Sequence, residues 1–227
     1  MNPYYEVLES TVTEGFPAQQ RIRRALLELM QVRPFGEIDV KEICTAAGTG
    51  RSTFYVYYHN SRNVLDEIED LTVQELVRQG LEAVESEPEQ LLSDGTQQES
   101  DRPAAWNRRF VSRIWNCYAR NQETYHILLI RQQERRFEQK LDDGMKYLLW
   151  EHFYREGNGT CPEADLVLGM VSASILRALH YDLTKIYPEM DSPVHPKEMV
   201  SDALELVERR SEKYVPRCRI LKTGTSK

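Results

Sequence analysis

Apolar residues recur at helical spacing along most of the chain. Between residues 16 and 32, Ile22, Ala25, Leu26, Leu29 and Met30 fall at i, i+3, i+4, i+7 and i+8. That is the single apolar face of an amphipathic helix. Pro17 suits its first turn. Arg33-Pro34-Phe35-Gly36 stops it, because a residue before proline is pushed out of the helical region and glycine permits a turn. A short second helix follows. Asp39 is a good N-cap, Glu42 three residues on completes a capping box, and Val40, Ile43 and Ala47 face inward. Gly48 allows a sharp reversal. A third helix begins near Gly50, with Phe54 and Tyr58 four apart on the face that anchors it.

Asn60 or Ser61 caps a long fourth helix to about Val84, whose buried side is Val64, Leu65, Ile68, Leu71, Leu76 and Leu81. Asp66, Glu67, Glu69 and Asp70 make its start acidic, which suits the positive end of the helix dipole. Residues 85–103 are polar, with two prolines and a glycine, and read as a loop or linker. Helical periodicity resumes from Trp106 to Arg120 through Trp106, Phe110, Ile114 and Cys117. A dense apolar run covers Tyr125 to Ile130. Phe137, Leu141, Met145, Leu148 and Leu149 carry another helix to about Tyr154, and Gly157-Asn158-Gly159 breaks it. The helix starting at Pro162 is apolar nearly all round, so it needs cover on both sides. Met199, Val200, Ala203, Leu204, Leu206 and Val207 form a wide stripe on the last helix. No strand pattern competes, so the fold class is all-α.

Charge divides the chain unevenly. The net charge of −7 argues against a general polyanion binder. Residues 16–65, however, hold 7 basic and 4 acidic side chains, while residues 66–227 hold 22 and 29. One locally basic module on an acidic body fits a nucleic-acid reader. Arg21, Arg23 and Arg24 lie beside the polar face of the first helix, as solvated charge or as phosphate contacts. The arm 1–15 has no Lys or Arg, so it does not match the basic arms that enter the minor groove.

The two short helices hinged at Ala47-Gly48-Thr49-Gly50 have the layout of a helix-turn-helix, whose second helix enters the major groove. Arg pairs two-pronged with guanine, Val touches a thymine methyl, and hydroxyls reach phosphates. A polar, aromatic surface helix is the plain alternative. The run Ile38-x-Val40-x-x-Ile43-x-x-x-Ala47-Gly48-x-x-Arg51-x-Thr53-Phe54-Tyr55-x-Tyr57-Tyr58 resembles the N-terminal domain of the TetR/AcrR family of bacterial transcriptional regulators. Upstream Arg33-Pro34-Phe35 and downstream Val64-Leu65 also fit, so the resemblance covers about residues 18–68.

The resemblance implies a three-helix helix-turn-helix DNA-binding domain (16–62), preceded by an arm (1–15). A larger helical ligand-sensing and dimerisation domain (63–216) and a basic tail (217–227) would follow. It implies base reading by Arg51, Ser52, Val56 and Tyr57, and backbone contact by Lys41, Thr53, Tyr55 and Arg62. Three positions depart from the family. Asp39 stands where Thr or Ser is common, and would repel a phosphate. Ser61 stands where a Lys usually meets the backbone, leaving Arg62 as the nearest cation. Gly50 replaces a capping Ser at little cost. Family members dimerise through their final two long helices, here 163–186 and 197–213, and often hold a small-molecule effector. Trp106, Trp115, Tyr118, Phe137, Tyr147, Trp150 and Phe153 are candidate pocket residues, or simply core.

Other chemistry is thin. Cys44, Cys117, Cys161 and Cys218 lack metal-ligand spacing and read as reduced, mostly buried thiols. Glu123-x-x-His126 has no second such pair to complete a paired-metal site. Neither a hydrolase triad nor a phosphate loop occurs. Secretory features are absent from the start of the chain, and no apolar run approaches the roughly 18 residues of a membrane span. The expected function is a cytoplasmic, sequence-specific transcriptional regulator, a repressor released by an effector. It would bind a near-palindromic operator as a homodimer without cofactor, metal or membrane. The competing reading is a helical protein-binding module that keeps the helix-turn-helix as scaffold.

Overall fold

A computed structural model describes residues 17–85, 102–154, 162–184 and 196–204. The described residues are helical apart from short connections. In chain order they form α1 (Pro17–Met30), a 3-10 turn (Phe35–Glu37), α2 (Val40–Ala46), α3 (Arg51–Tyr57) and α4 (Ser61–Glu85). Then come α5 (Arg102–Arg120), α6 (Gln122–Tyr125), a π-helical segment (His126–Arg131), α7 (Arg135–Tyr154), α8 (Pro162–Thr184) and α9 (196–204). The expected arm, the 157–159 break, the basic tail, residues 205–213 of the last helix and nearly all of the 85–103 linker lie outside the described residues.

Two compact units divide the chain. The first comprises Met1–Glu75 and Asn121–Leu141; the second comprises Leu76–Arg120 and Asp142–Lys227. Helices α4 and α7 each run through a division.

In the first unit the amphipathic reading of α1 holds: Ile22, Ala25, Leu26 and Met30 are buried. Ile43, Phe54, Val64, Leu65 and Ile68 join them. Burying one such side chain stabilises by about 1.5–3 kcal/mol, so the non-directional part of the stability comes from these residues. The distant segment 121–141 belongs to the same unit. Tyr125 and Phe137 are fully buried, with ring centroids 5.7 Å apart. Gln132 fixes this segment to the end of α1. Its Nε2 donates to the Met30 carbonyl at 2.7 Å and the Arg33 carbonyl at 2.9 Å, and its Oε1 accepts from the Phe35 N–H at 2.9 Å. The amide therefore satisfies backbone groups that a helix end and a turn leave without intrahelical partners.

The second unit packs the later part of α4 with α5, α7, α8 and α9. Its core includes Leu76, Val77, Phe110, Ile114, Met145, Leu148, Ile175 and Leu179. Gly80 marks a close crossing: a Cβ there would lie 2.6 Å from both methyls of Leu148 and 3.0 Å from Ile114 Cδ1. Polar ties fix the helices in register. Ser172 Oγ donates to Asp142 Oδ1 at 2.6 Å, and the Tyr118 hydroxyl donates to Asp182 Oδ2 at 2.7 Å. Contrary to the sequence-based expectation, Asp165–Thr184 of α8 is, by length and composition alone, long and apolar enough to cross a membrane, with mean hydropathy 1.3 over an 18-residue window. Its Asp182 and buried Ser172 are nonetheless bonded to neighbouring helices within this unit, as in a helix of a helical core.

Candidate nucleic-acid interface

The interface is built from α2, the turn after it, and α3. Asp39 caps α2 in extended conformation, its Oδ1 accepting from the Glu42 N–H at 2.8 Å. Glu42 Oε2 accepts from the Asp39 N–H at 3.0 Å, completing the reciprocal box. Arg33 NH2 lies 2.9 Å from Glu42 Oε1 and ties the preceding turn to the cap. The N–H of Asp39, and then Arg33, hold the Glu42 carboxyl below its ordinary value. Asp39 is thus committed to helix α2.

At the other end, Gly48 has φ +60°, the left-handed conformation that L side chains resist. The Thr49 N–H donates to Cys44 O at 3.0 Å and the Gly48 N–H to Thr45 O at 3.3 Å. This is the Schellman pattern that closes a helix and turns the chain. Arg21 Nε adds a bond to Ala47 O at 3.3 Å.

Helix α3 has only seven residues, too few to be stable alone, so its position depends on its anchors. Phe54 is fully buried and Tyr58 is 5% exposed, with ring centroids 5.6 Å apart. The Tyr58 hydroxyl donates to Glu67 Oε2 of α4, which also accepts from Arg23 NH1 of α1 at 3.0 Å. Opposite the anchors, Arg51 and Ser52 are exposed, Tyr55 is 54% exposed and Val56 74%. Thr53 and Tyr57 are half-buried along the edges, and Lys41 is exposed on α2. Asn60 rather than Ser61 caps α4, its Oδ1 accepting from the Asn63 N–H at 3.0 Å.

Arg62, expected to contact the backbone, is bonded within the first unit. Its Nε lies 2.8 Å from Asp66, NH2 2.9 Å from Glu69 and NH1 3.3 Å from Glu134. Its guanidinium carbon also stands 5.7 Å from the Phe35 ring centroid. Glu69 is fully buried, and Lys140 Nζ approaches its other oxygen at 3.0 Å. Every nitrogen of the Arg62 guanidinium is engaged inside the first unit, leaving it badly placed to meet a phosphate. Of the upstream arginines, Arg23 is bound to Glu67 within the fold, whereas Arg24 forms a solvent-exposed i, i+4 pair with Glu28 at 2.8 Å.

The expected effector aromatics are divided between the two units. Phe137 packs in the first unit, while Trp115, Tyr118 and Tyr147 are buried and Trp150 half-buried in the second. Trp115 and Tyr118 make an edge-to-face pair at 5.3 Å. The side chains of Trp106 and Phe153 lie outside the described residues. Among the described residues, none of these aromatics lines the surface cavities of about 650 Å³ at Gln79, Arg113 and Arg120 and of about 530 Å³ at Gln31, His126 and Arg131. Among the described residues, no three His, Cys, Asp or Glu side chains gather as a metal site. Cys44 and Cys117 are buried free thiols; Cys161 and Cys218 lie outside the described residues.

No family model matches the chain, and no curated protein matches it at a significant level. Solved structures do resemble it. A TetR transcriptional regulator from Streptococcus agalactiae 2603V aligns over 85% of this chain and 94% of its own, at 20% identity and TM-score 0.55. The dihydroxyacetone kinase operon activator DhaS aligns over 87% and 97%, at 16% identity and TM-score 0.54. The fatty acid degradation regulator FadR from Bacillus halodurans aligns over 86% and 97%, at 15% identity and TM-score 0.51. The chain has the fold of TetR-family transcriptional regulators.

Proposed function

We propose that this chain is a sequence-specific DNA-binding transcriptional regulator that inserts α3 into the major groove. The division of α3 carries the reading. Phe54 and Tyr58 are buried on one side, while Arg51, Ser52, Tyr55 and Val56 stand exposed on the other. An exposed Val beside an exposed Tyr and Arg is ready-made for thymine methyls, phosphates and guanine edges. Arg51, Ser52, Val56 and Tyr57 read bases; Lys41, Thr53 and Tyr55 hold the backbone. Arg62 is left out of this set because of its three carboxylate partners.

The regulator acts as a homodimer through α8 and the last helix. The apolar groove of about 620 Å³ along Met170, Val171, Ile175, Tyr181, Met199 and Val200 supports this. So do Leu166, Met170 and Met199, each more than 60% exposed. Two recognition helices would then address half-sites about 34 Å apart on a near-palindromic operator. Repression relieved by a small effector, in the cytoplasm, completes the proposal. Trp115, Tyr118, Tyr147 and Trp150 are its candidate contacts. DhaS, with the same fold, is named an activator, so the sign of regulation needs its own assay.

Selection from a random duplex library, followed by binding measurements on the enriched sequence, tests the reading. Arg51→Ala is expected to weaken binding by roughly five- to hundredfold per half-site, the range for one two-pronged base contact. Unchanged affinity in both Arg51→Ala and Tyr57→Ala removes α3 from the interface. Sedimentation of a Met170→Arg variant as monomer, against a wild-type dimer, tests the assembly.

A further inference from the structure

We infer that Tyr58 is a positioning residue for sequence discrimination, setting through Glu67 the angle at which α3 presents Arg51 and Val56. This rests on the reading of α3 as the base-reading helix. Tyr58 is the residue on which α3 ends: its N–H still donates to Phe54 O at 2.9 Å, while its backbone is already extended. Helix α3 has two large buried anchors of different kinds. Phe54 is held by apolar packing, which secures burial without fixing rotation about the helix axis. Tyr58 adds a directional contact, its hydroxyl donating to Glu67 Oε2.

That oxygen also accepts from Arg23 NH1 at 3.0 Å. One carboxylate on α4 therefore receives the end of α3 and the side of α1 together. The side chains of Arg23 and Glu67 are 15% and 31% exposed, so water competes only in part. Burial, then the Glu67 carboxylate, push the Tyr58 phenol well above its ordinary value, so it remains a donor across the working pH range.

Base recognition and phosphate contact differ in their tolerance of a small rotation. Two-pronged hydrogen bonds to a base edge need both distances and angles met, whereas a charge near a phosphate keeps most of its attraction when displaced. Loosening α3 about its axis should therefore lower affinity for the operator and leave affinity for other DNA nearly untouched. A merely structural hydroxyl would lower stability and leave that ratio alone.

The test uses the full chain and a duplex enriched from a random library by the wild-type protein, with a scrambled duplex of equal composition beside it. Both affinities are measured for wild type, Tyr58→Phe, Glu67→Ala, Glu67→Gln and Arg51→Ala, at a temperature where circular dichroism shows each fully folded. Tyr58→Phe keeps the ring and leaves Glu67 paired with Arg23, so folding is retained. The expected result is a roughly tenfold fall in the operator-to-scrambled ratio for Tyr58→Phe and Glu67→Ala. Scrambled-DNA affinity and salt slope should stay at wild-type values, and Glu67→Gln, which keeps an acceptor, should recover most of the ratio. A ratio unchanged in Tyr58→Phe and Glu67→Ala while Arg51→Ala lowers it overturns the positioning role alone. No enriched duplex for the wild type, or no effect of Arg51→Ala, overturns the base-reading assignment and this inference with it.

Discussion

Replacing Arg62 by methionine separates folding from DNA contact at the position where the two are most easily confused. The substitution keeps the aliphatic stem and removes charge 2.8 Å from Asp66, 2.9 Å from Glu69 and 3.3 Å from Glu134. Breaking a buried pair from one side costs about 3–5 kcal/mol, whereas an exposed pair contributes about 0–1. This site lies between those limits. Glu69 is fully buried, but the Arg62 side chain is 28% exposed, and Lys140 still compensates Glu69 from 3.0 Å. The expected loss is about 2 kcal/mol, roughly 4–8 °C in Tm for a chain of this size. Glu69→Gln in the same chain should restore part of it, because no unpaired buried charge then remains. In DNA binding, the slope of log affinity against log salt should not change for Arg62→Met. Lys41→Ala should reduce the slope by about 0.9 per half-site, the loss of one phosphate contact. Thermal unfolding and fluorescence anisotropy at several salt concentrations read the two effects. A slope change of that size for Arg62→Met, with Tm unchanged, refutes the reasoning.

Gly48→Ala should cost about 1–2 kcal/mol through its positive φ alone, since no atom lies within 4 Å of the added methyl; Gly48→Asn should cost less, and denaturant unfolding ranks them. The folded Glu42 carboxyl sits below its unfolded value, so in the window between the two the unfolded state binds more protons. Its stabilisation is complete above the unfolded value and is lost as pH falls through the folded one. Glu69 has the opposite sign, because burial raises its carboxyl and favours the folded state toward low pH. Subtracting the Tm–pH curve of Glu42→Gln from that of wild type isolates the first effect. The difference should shrink as acid is added below the ordinary glutamate range, and a difference independent of pH contradicts it.

Local rules made the helices from Pro17 to Tyr57 legible. The stripe from Ile22 to Met30, the Asp39–Glu42 box, the turn at Gly48 and the Phe54–Tyr58 pair each depend on residues within eight positions of one another. Such features leave a period or a spacing in the sequence. Gln132 leaves none. Its three bonds to Met30, Arg33 and Phe35 join residues about a hundred positions apart, and an isolated glutamine looks like any surface residue. Nor does spacing tell that Phe137 packs with Tyr125, twelve residues away on another element. Apolar spacing reports that a side chain is buried, not which helices bury it.

Arg62 is a different case, because part of its environment was readable. A cation in the first turn of α4 faces the positive end of the helix dipole, an unfavourable place for free charge. Asp66 stands four residues on and Glu69 seven, both within reach on the same helical face. A guanidinium so placed should be drawn along its own helix toward the carboxylates, away from an incoming phosphate. Only Glu134, which arrives from another part of the chain, was beyond sequence reasoning. The same argument spares Lys41. Its helix carries Glu42 beside it but neither Asp nor Glu three or four positions further on, and its side chain is exposed. Of the two cations expected to hold the backbone, Lys41 is exposed, whereas Arg62 is held by three carboxylates.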